Sequence, residues 1–100
     1  MILALDIACS ESDTKARYSA SLYGRGPEAE MAITKISEVL ISVDRTFVPE
    51  ALRGHGAAAA LAKRVIADAR AKGQRIVPIC PFFKSYADKN REDLADVIQW

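Results

Sequence analysis

The sequence predicts an α+β (mixed α/β) fold: an antiparallel meander, then a strand-helix-strand crossover, then short helices at the C-terminus. Three observations carry this expectation. Apolar and polar residues alternate in the first half of the chain at the period of a half-buried strand. Past Gly56 the period becomes that of a helix face, and a short apolar run between Gly73 and Pro81 follows. A chain of 100 residues holds one core and one shallow site, so a single domain over residues 1–100 is expected.

From Arg17 to Tyr23, the apolar Tyr18, Ala20 and Leu22 alternate with Arg17, Ser19 and Ser21, which reads as a strand. Gly24-Arg25-Gly26-Pro27 is dense in turn formers, and Ala29 to Ile36 supplies a hairpin partner. After a polar break at Ser37-Glu38, the segment Val39 to Val48 is expected as a third strand with Val39, Ile41, Val43 and Phe47 on one face. Pro49 and Gly54 end it. Ala58, Leu61, Ala62, Val65 and Ala69 then recur at helical spacing. Eight of the chain's 17 alanines fall between Ala57 and Ala71. Alanine is both the best helix former and the smallest, so this helix can lie close against a sheet. Arg70 and Lys72 suit the negative end of its dipole, and Gly73 suits a left-handed cap.

Arg75 to Cys80 reads as a short strand, and a right-handed crossover makes the segments around Val43 and Ile76 parallel neighbours. Pro78 cannot donate a ladder hydrogen bond, which places that strand at an edge or splays it there. Between Phe82 and Trp100, Leu94, Val97 and Ile98 predict one or two short helices. The first sixteen residues are ambiguous: Met1 to Ala8 reads as a strand or a loose tail, and Ser10-Glu11-Ser12-Asp13 as a loop.

Composition removes several functions. Fourteen Lys+Arg against 13 Asp+Glu leave no electrostatic excess for a run of phosphates, so no nucleic-acid partner is expected. The longest apolar run, Ala57 to Ala62, is far short of the roughly 20 residues of a membrane helix. Met1 to Ala8 lacks the basic start of a secretion signal, so a cytoplasmic protein without membrane contact is expected. Cys9 and Cys80 are too few for a disulfide scaffold, and with the single His55 they make a zinc site improbable. A nucleophile with a histidine base would need His55, which sits between two glycines in a loop.

The most informative stretch runs from Val48 to Ala58, from a strand end into the helix. Gly54 and Gly56 let the backbone turn sharply and expose N–H groups, the helix start adds unpaired donors, and Arg53 adds a charged one. That is the outline of an anion site; a Gly-rich turn with a solvated arginine has the same pattern.

Arg53-x-x-Gly56-x-Ala58 fits the signature [QR]-x-x-G-x-[GA] of the GNAT acetyltransferase superfamily. The chain further resembles a short GNAT-like family through Arg45-Thr46-Phe47-Val48-Pro49, Arg53-Gly54-His55-Gly56, Pro78-Ile79-Cys80-Pro81-Phe82, Tyr86 and Asn90-Arg91-Glu92, from about Tyr18 to Glu92. Two positions depart from its pattern: Arg45 stands where the family commonly has His, and Arg91 replaces the usual Pro. An arginine stays protonated at any working pH and cannot reproduce a histidine's proton transfer.

The resemblance implies a compact GNAT-like fold and an N-acetyltransferase that takes acetyl-CoA and a primary amine, either a small molecule or a protein lysine. Val48, Arg53, Gly54, His55, Gly56, Ala57, Ala58 and Cys80 would then contact the cofactor, the turn holding its pyrophosphate. A backbone N–H of the splayed strand region would meet the thioester carbonyl. Cys80 either accepts the acetyl group, lines the channel, or is a small core residue. Tyr86 either protonates the leaving thiolate or packs beneath Phe82 and Phe83. Glu92 is a base toward the amine or a surface carboxylate, and the ring of His55 has no evident partner. Two other classes remain open: a CoA-binding module without turnover, and an interaction domain whose turn is only a turn. A monomer and a homodimer are equally compatible, the latter through a sheet edge and Trp100.

Overall fold

The computed structural model describes residues 5–22 and 25–100. In chain order the elements are β1 (Leu5–Glu11), β2 (Lys15–Leu22), β3 (Arg25–Lys35), β4 (Leu40–Phe47), helix α1 (Ala57–Lys72), β5 (Arg75–Pro78) and helix α2 (Pro81–Lys89). The five strands lie side by side in sequence order. Every pair is antiparallel except β4 and β5, which run parallel across the α1 crossover. This is the predicted meander and strand-helix-strand unit.

The ambiguous start is a strand from Leu5, paired with β2 from Leu5↔Leu22 to Glu11↔Ala16. Ser10 and Glu11, expected in a loop, belong to it: both side chains are exposed, so ladder bonds are gained at no burial cost. The reversal is shorter than expected, with Ser12 N–H donating to the Lys15 carbonyl at 2.9 Å and Lys15 N–H to Ser12 Oγ at 3.2 Å. In the second hairpin, Tyr23 and Gly24 lie outside the described residues. Of the turn expected at 24–27, positions 25–27 already belong to β3.

The third predicted strand needs a larger correction. Val39 is 63% exposed and precedes β4, and Phe47 is 57% exposed. Ile41 and Val43 are buried. The reason is a bulge: Ala32 pairs with Arg45 but Ile33 with Val43, so Asp44 is an extra residue. One extra residue moves every later side chain to the other face. Val43 and Thr46 therefore share the face of Ile33 and Met31, while Arg45 and Phe47 share that of Ala32 and Glu30.

That first face is the core. Ala16, Tyr18 and Ala20 of β2 and Ala29, Met31 and Ile33 of β3 pack under Ala57, Leu61, Ala62, Val65, Ile66 and Ala69 of α1. Ala58, expected on the buried stripe, is half-buried, and Ala57 takes the covered position. The Tyr18 hydroxyl donates to Asp68 Oδ2 at 2.6 Å, tying β2 to α1, and Arg64 holds the same carboxylate at 3.2 Å. The helix ends where predicted, with Gly73 at φ 69° and Gln74 N–H reaching the Ala69 carbonyl at 2.8 Å.

β5 stops at Pro78, two residues before the predicted end, so Cys80 caps α2 instead of closing a strand. Pro78 and Pro81 each lack an N–H, and proline is suited to the first turn of a helix. After α2 the chain makes turns that bury Leu94, Val97 and Ile98, and Ile98 forms a parallel bridge with Ile76 on the outer side of β5. One C-terminal helix is thus present where one or two were expected.

Candidate functional site

β4 and β5 separate after four paired residues. The last pair is Val43↔Pro78, and beyond it β4 runs on to Phe47 without β5 beside it. Two local causes act together: Pro78 has no N–H to continue the ladder, and the bulge at Asp44 turns β4 aside. The Val43 carbonyl then takes both the Ile79 N–H at 3.2 Å and the Cys80 N–H at 2.8 Å. The result is a wedge between two parallel strands, rimmed by the exposed Phe47, Ile79 and Phe82. Cys80 lies inside on the helix face, 3% exposed, with Sγ 3.3 Å from Thr46 Oγ1. Arg45 lies on the opposite face, exposed.

Beyond the wedge, Val48 packs against the core and Pro49 leads into a 3-10 turn at Glu50–Leu52, anchored by the buried Leu52. Gly54 at φ 84° and Gly56 at φ 73° follow, both in the left-handed region that favours glycine. Arg53 N–H and His55 N–H are used within the turn, on the Glu50 and Leu52 carbonyls. Among the described residues, no protein acceptor meets the N–H groups of Gly54, Gly56, Ala57, Ala58 or Ala59. No acidic residue sits in the first turn of α1 to offset its positive end, and Arg53 is exposed beside it, without an ion pair among the described residues. His55 is exposed, and its ring has no hydrogen-bond partner among the described residues. Five N–H groups without a protein acceptor and a guanidinium, all between residues 53 and 59, suit a polyanion such as a pyrophosphate.

Tyr86 falls elsewhere. Its ring stands 6.3 Å from Phe82 and 6.5 Å from Phe83, centroid to centroid. It lines a groove of about 300 Å³ between α1, through Lys63, Ile66 and Arg70, and the C-terminal turns, through Asn90 and Leu94. No hydrogen bond joins its hydroxyl to Cys80 among the described residues. Glu92 is exposed on those turns. Arg91 pairs with Asp88 at 3.1 Å and lies 3.9 Å from the centre of the Trp100 ring.

Two parts of the site have no sequence signal of their own. Thr46 meets Cys80 because of the bulge, which alternation alone does not reveal. The second is a groove of about 490 Å³ over the face of β2 to β4 turned away from both helices, lined by residues including Arg17, Ala32 and Arg45.

No curated protein matches the chain. A family model described as GCN5-related N-acetyl-transferase matches residues 17–97, from within β2 to the turns after α2. It covers the wedge, the glycine turn and Cys80 together, well over half of the sequence, and the chain belongs to the GCN5-related N-acetyltransferase family.

Proposed function

We propose that this chain transfers the acetyl group of acetyl-CoA to a primary amine. The observation that carries the reading is the succession along one strand: β4 leaves β5 at the wedge and leads, through the 3-10 turn, to Arg53 and five N–H groups that have no protein acceptor among the described residues. Such donors fit a pyrophosphate, and the apolar rim of the wedge fits a thioester arm. Acetyl-CoA supplies an activated acyl group with a good leaving thiolate.

The residues at the wedge then act by position. Ile79 and Cys80 N–H groups are consumed by the Val43 carbonyl, which leaves the β4 side to donate to a thioester oxygen. Cys80 lines the channel: its thiol is buried, its partner is the Thr46 hydroxyl, and no histidine or carboxylate hydrogen-bonds to it among the described residues. The amine attacks the thioester directly, and holding the two together supplies most of the rate.

Titrating CoA against wild type and Arg53→Glu tests the cofactor half. Reversing that charge should weaken binding by about tenfold or more, the size of a lost charge-assisted bond. Equal affinity, or none in either protein, removes the reading. Thiol release with a panel of primary amines tests the transfer half, and CoA binding without transfer to any amine would leave a CoA-binding module.

A further inference from the structure

Both helices cover one face of the sheet, and the groove of about 490 Å³ opens on the other. There the register sets Ser10, Arg17, Ala32 and Arg45 in one row across β1 to β4, at about 4.8 Å per step. Ala32 is the low point between two guanidinium groups.

The charges around this floor are nearly all engaged. Arg17 Nε donates to Glu30 at 2.8 Å, and Glu11 pairs with Lys35 at 3.5 Å and Lys72 at 3.4 Å. Asp44 accepts from Thr34 and from Ser42, the latter at 2.7 Å, and Lys15 donates to Thr34 at 2.8 Å. Arg45 differs: among the described residues its guanidinium has neither an ion pair nor a hydrogen bond. It also sits at the reacting end. Thr46, the next residue, touches Cys80 on the far face, so Arg45 and the thiol flank the wedge from opposite sides.

From this juxtaposition we infer that the bare-face groove receives the acceptor, and that the acceptor is an amine carrying a carboxylate, of the amino-acid class, held by Arg45. A planar guanidinium matches a carboxylate with two parallel bonds. Two of the three carboxylates that line the groove, Glu11 and Glu30, already face cations, so Arg45 is the guanidinium left to meet a carboxylate on the ligand. A polyamine would place positive charge against Arg45 at the reacting end. The amine half of the inference rests on the acetyl-transfer reading; the carboxylate half rests on the groove.

The test therefore measures binding apart from turnover. Glycine, alanine, glutamate and lysine, each beside its α-carboxamide, are titrated by NMR against wild type, Arg45→Gln and Arg45→Lys. At least one acid should bind wild type about tenfold or more tighter than its carboxamide. Arg45→Gln should abolish that ratio, and Arg45→Lys should restore part of it. If no acid binds, or if the ratio is the same in Arg45→Gln as in wild type, the inference is overturned. Acid-selective binding that depends on Arg45, without acetyl transfer to the bound acid, supports the groove's ligand and counts against the transfer reading instead.

Discussion

The Cys80 thiol is buried against the Thr46 hydroxyl, and among the described residues no histidine or carboxylate hydrogen-bonds to it. On the proposed reading, a thiol so placed lines the acyl channel and does not act as a nucleophile. Cys80→Ala should accordingly keep acetyl transfer within about tenfold of wild type, far less than the loss expected for removing a nucleophile. Intact-mass measurement after incubation with acetyl-CoA should show no adduct that depends on Cys80, and a stoichiometric adduct would restore the covalent route. Gly56 is governed by backbone conformation and not by space. An added Cβ would meet nothing within 4 Å, yet its φ is 73°. Gly56→Ala should cost about 1 kcal/mol of stability, seen as a lower denaturant midpoint with an unchanged slope.

The tie between β2 and α1 belongs to the scale of elements. Burial, and then the hydrogen bond to Asp68, push the Tyr18 hydroxyl far above its ordinary value, because both favour the neutral phenol. A group raised in the folded state contributes stability that is complete below its unfolded pKa of about 10 and is lost as pH climbs past it. Tyr18→Phe should therefore be less stable by about 1 kcal/mol at neutral pH, and its stability should fall less steeply than wild type above pH 10. Urea titrations at pH 7 and at increasing alkaline pH measure both. Elements of this kind were legible in the sequence where one period ran undisturbed: α1 from its alanine-rich stripe to Gly73, and the parallel pairing around Val43 and Ile76. Legibility failed where pairing overrode local preference. Ser10 and Glu11 became strand because β2 offered partners, and Phe47 changed face because one residue, Asp44, was inserted. The glycine turn and Cys80 were visible as a motif, but Thr46 and the Ala32 floor depend on register, which no local pattern encodes.

At the scale of the molecule, a sheet covered on one face must hold its single layer of helices firmly, and β5 is its weak side. This strand has four residues, ends in a proline, and carries the Cys80 side of the wedge. Its outer edge is closed by the C-terminal segment through two backbone bonds, Ile76 N–H to the Val97 carbonyl and Gln99 N–H to the Ile76 carbonyl, each 2.8 Å. Arg75 fastens that segment from the strand itself, donating to Ile98 O at 2.6 Å, Asp96 O at 3.0 Å and Gln99 Oε1 at 2.9 Å. With a longer bond to the Ala95 carbonyl at 3.5 Å, these four from one charged group, partly open to water, are expected to contribute about 2 kcal/mol together. Removing them in Arg75→Ala should loosen the segment before the sheet, since the buried Leu94, Val97 and Ile98, the two Ile76 backbone bonds and the exposed Arg70–Asp96 pair would then hold it. Hydrogen exchange should show Ile76 and Gln99 amides losing protection well ahead of those in β2 and β3, with CoA affinity falling in step as the Cys80 side of the wedge loosens. If the two amides stay as protected as the central strands, apolar contacts suffice at the edge and Arg75 is not the clamp.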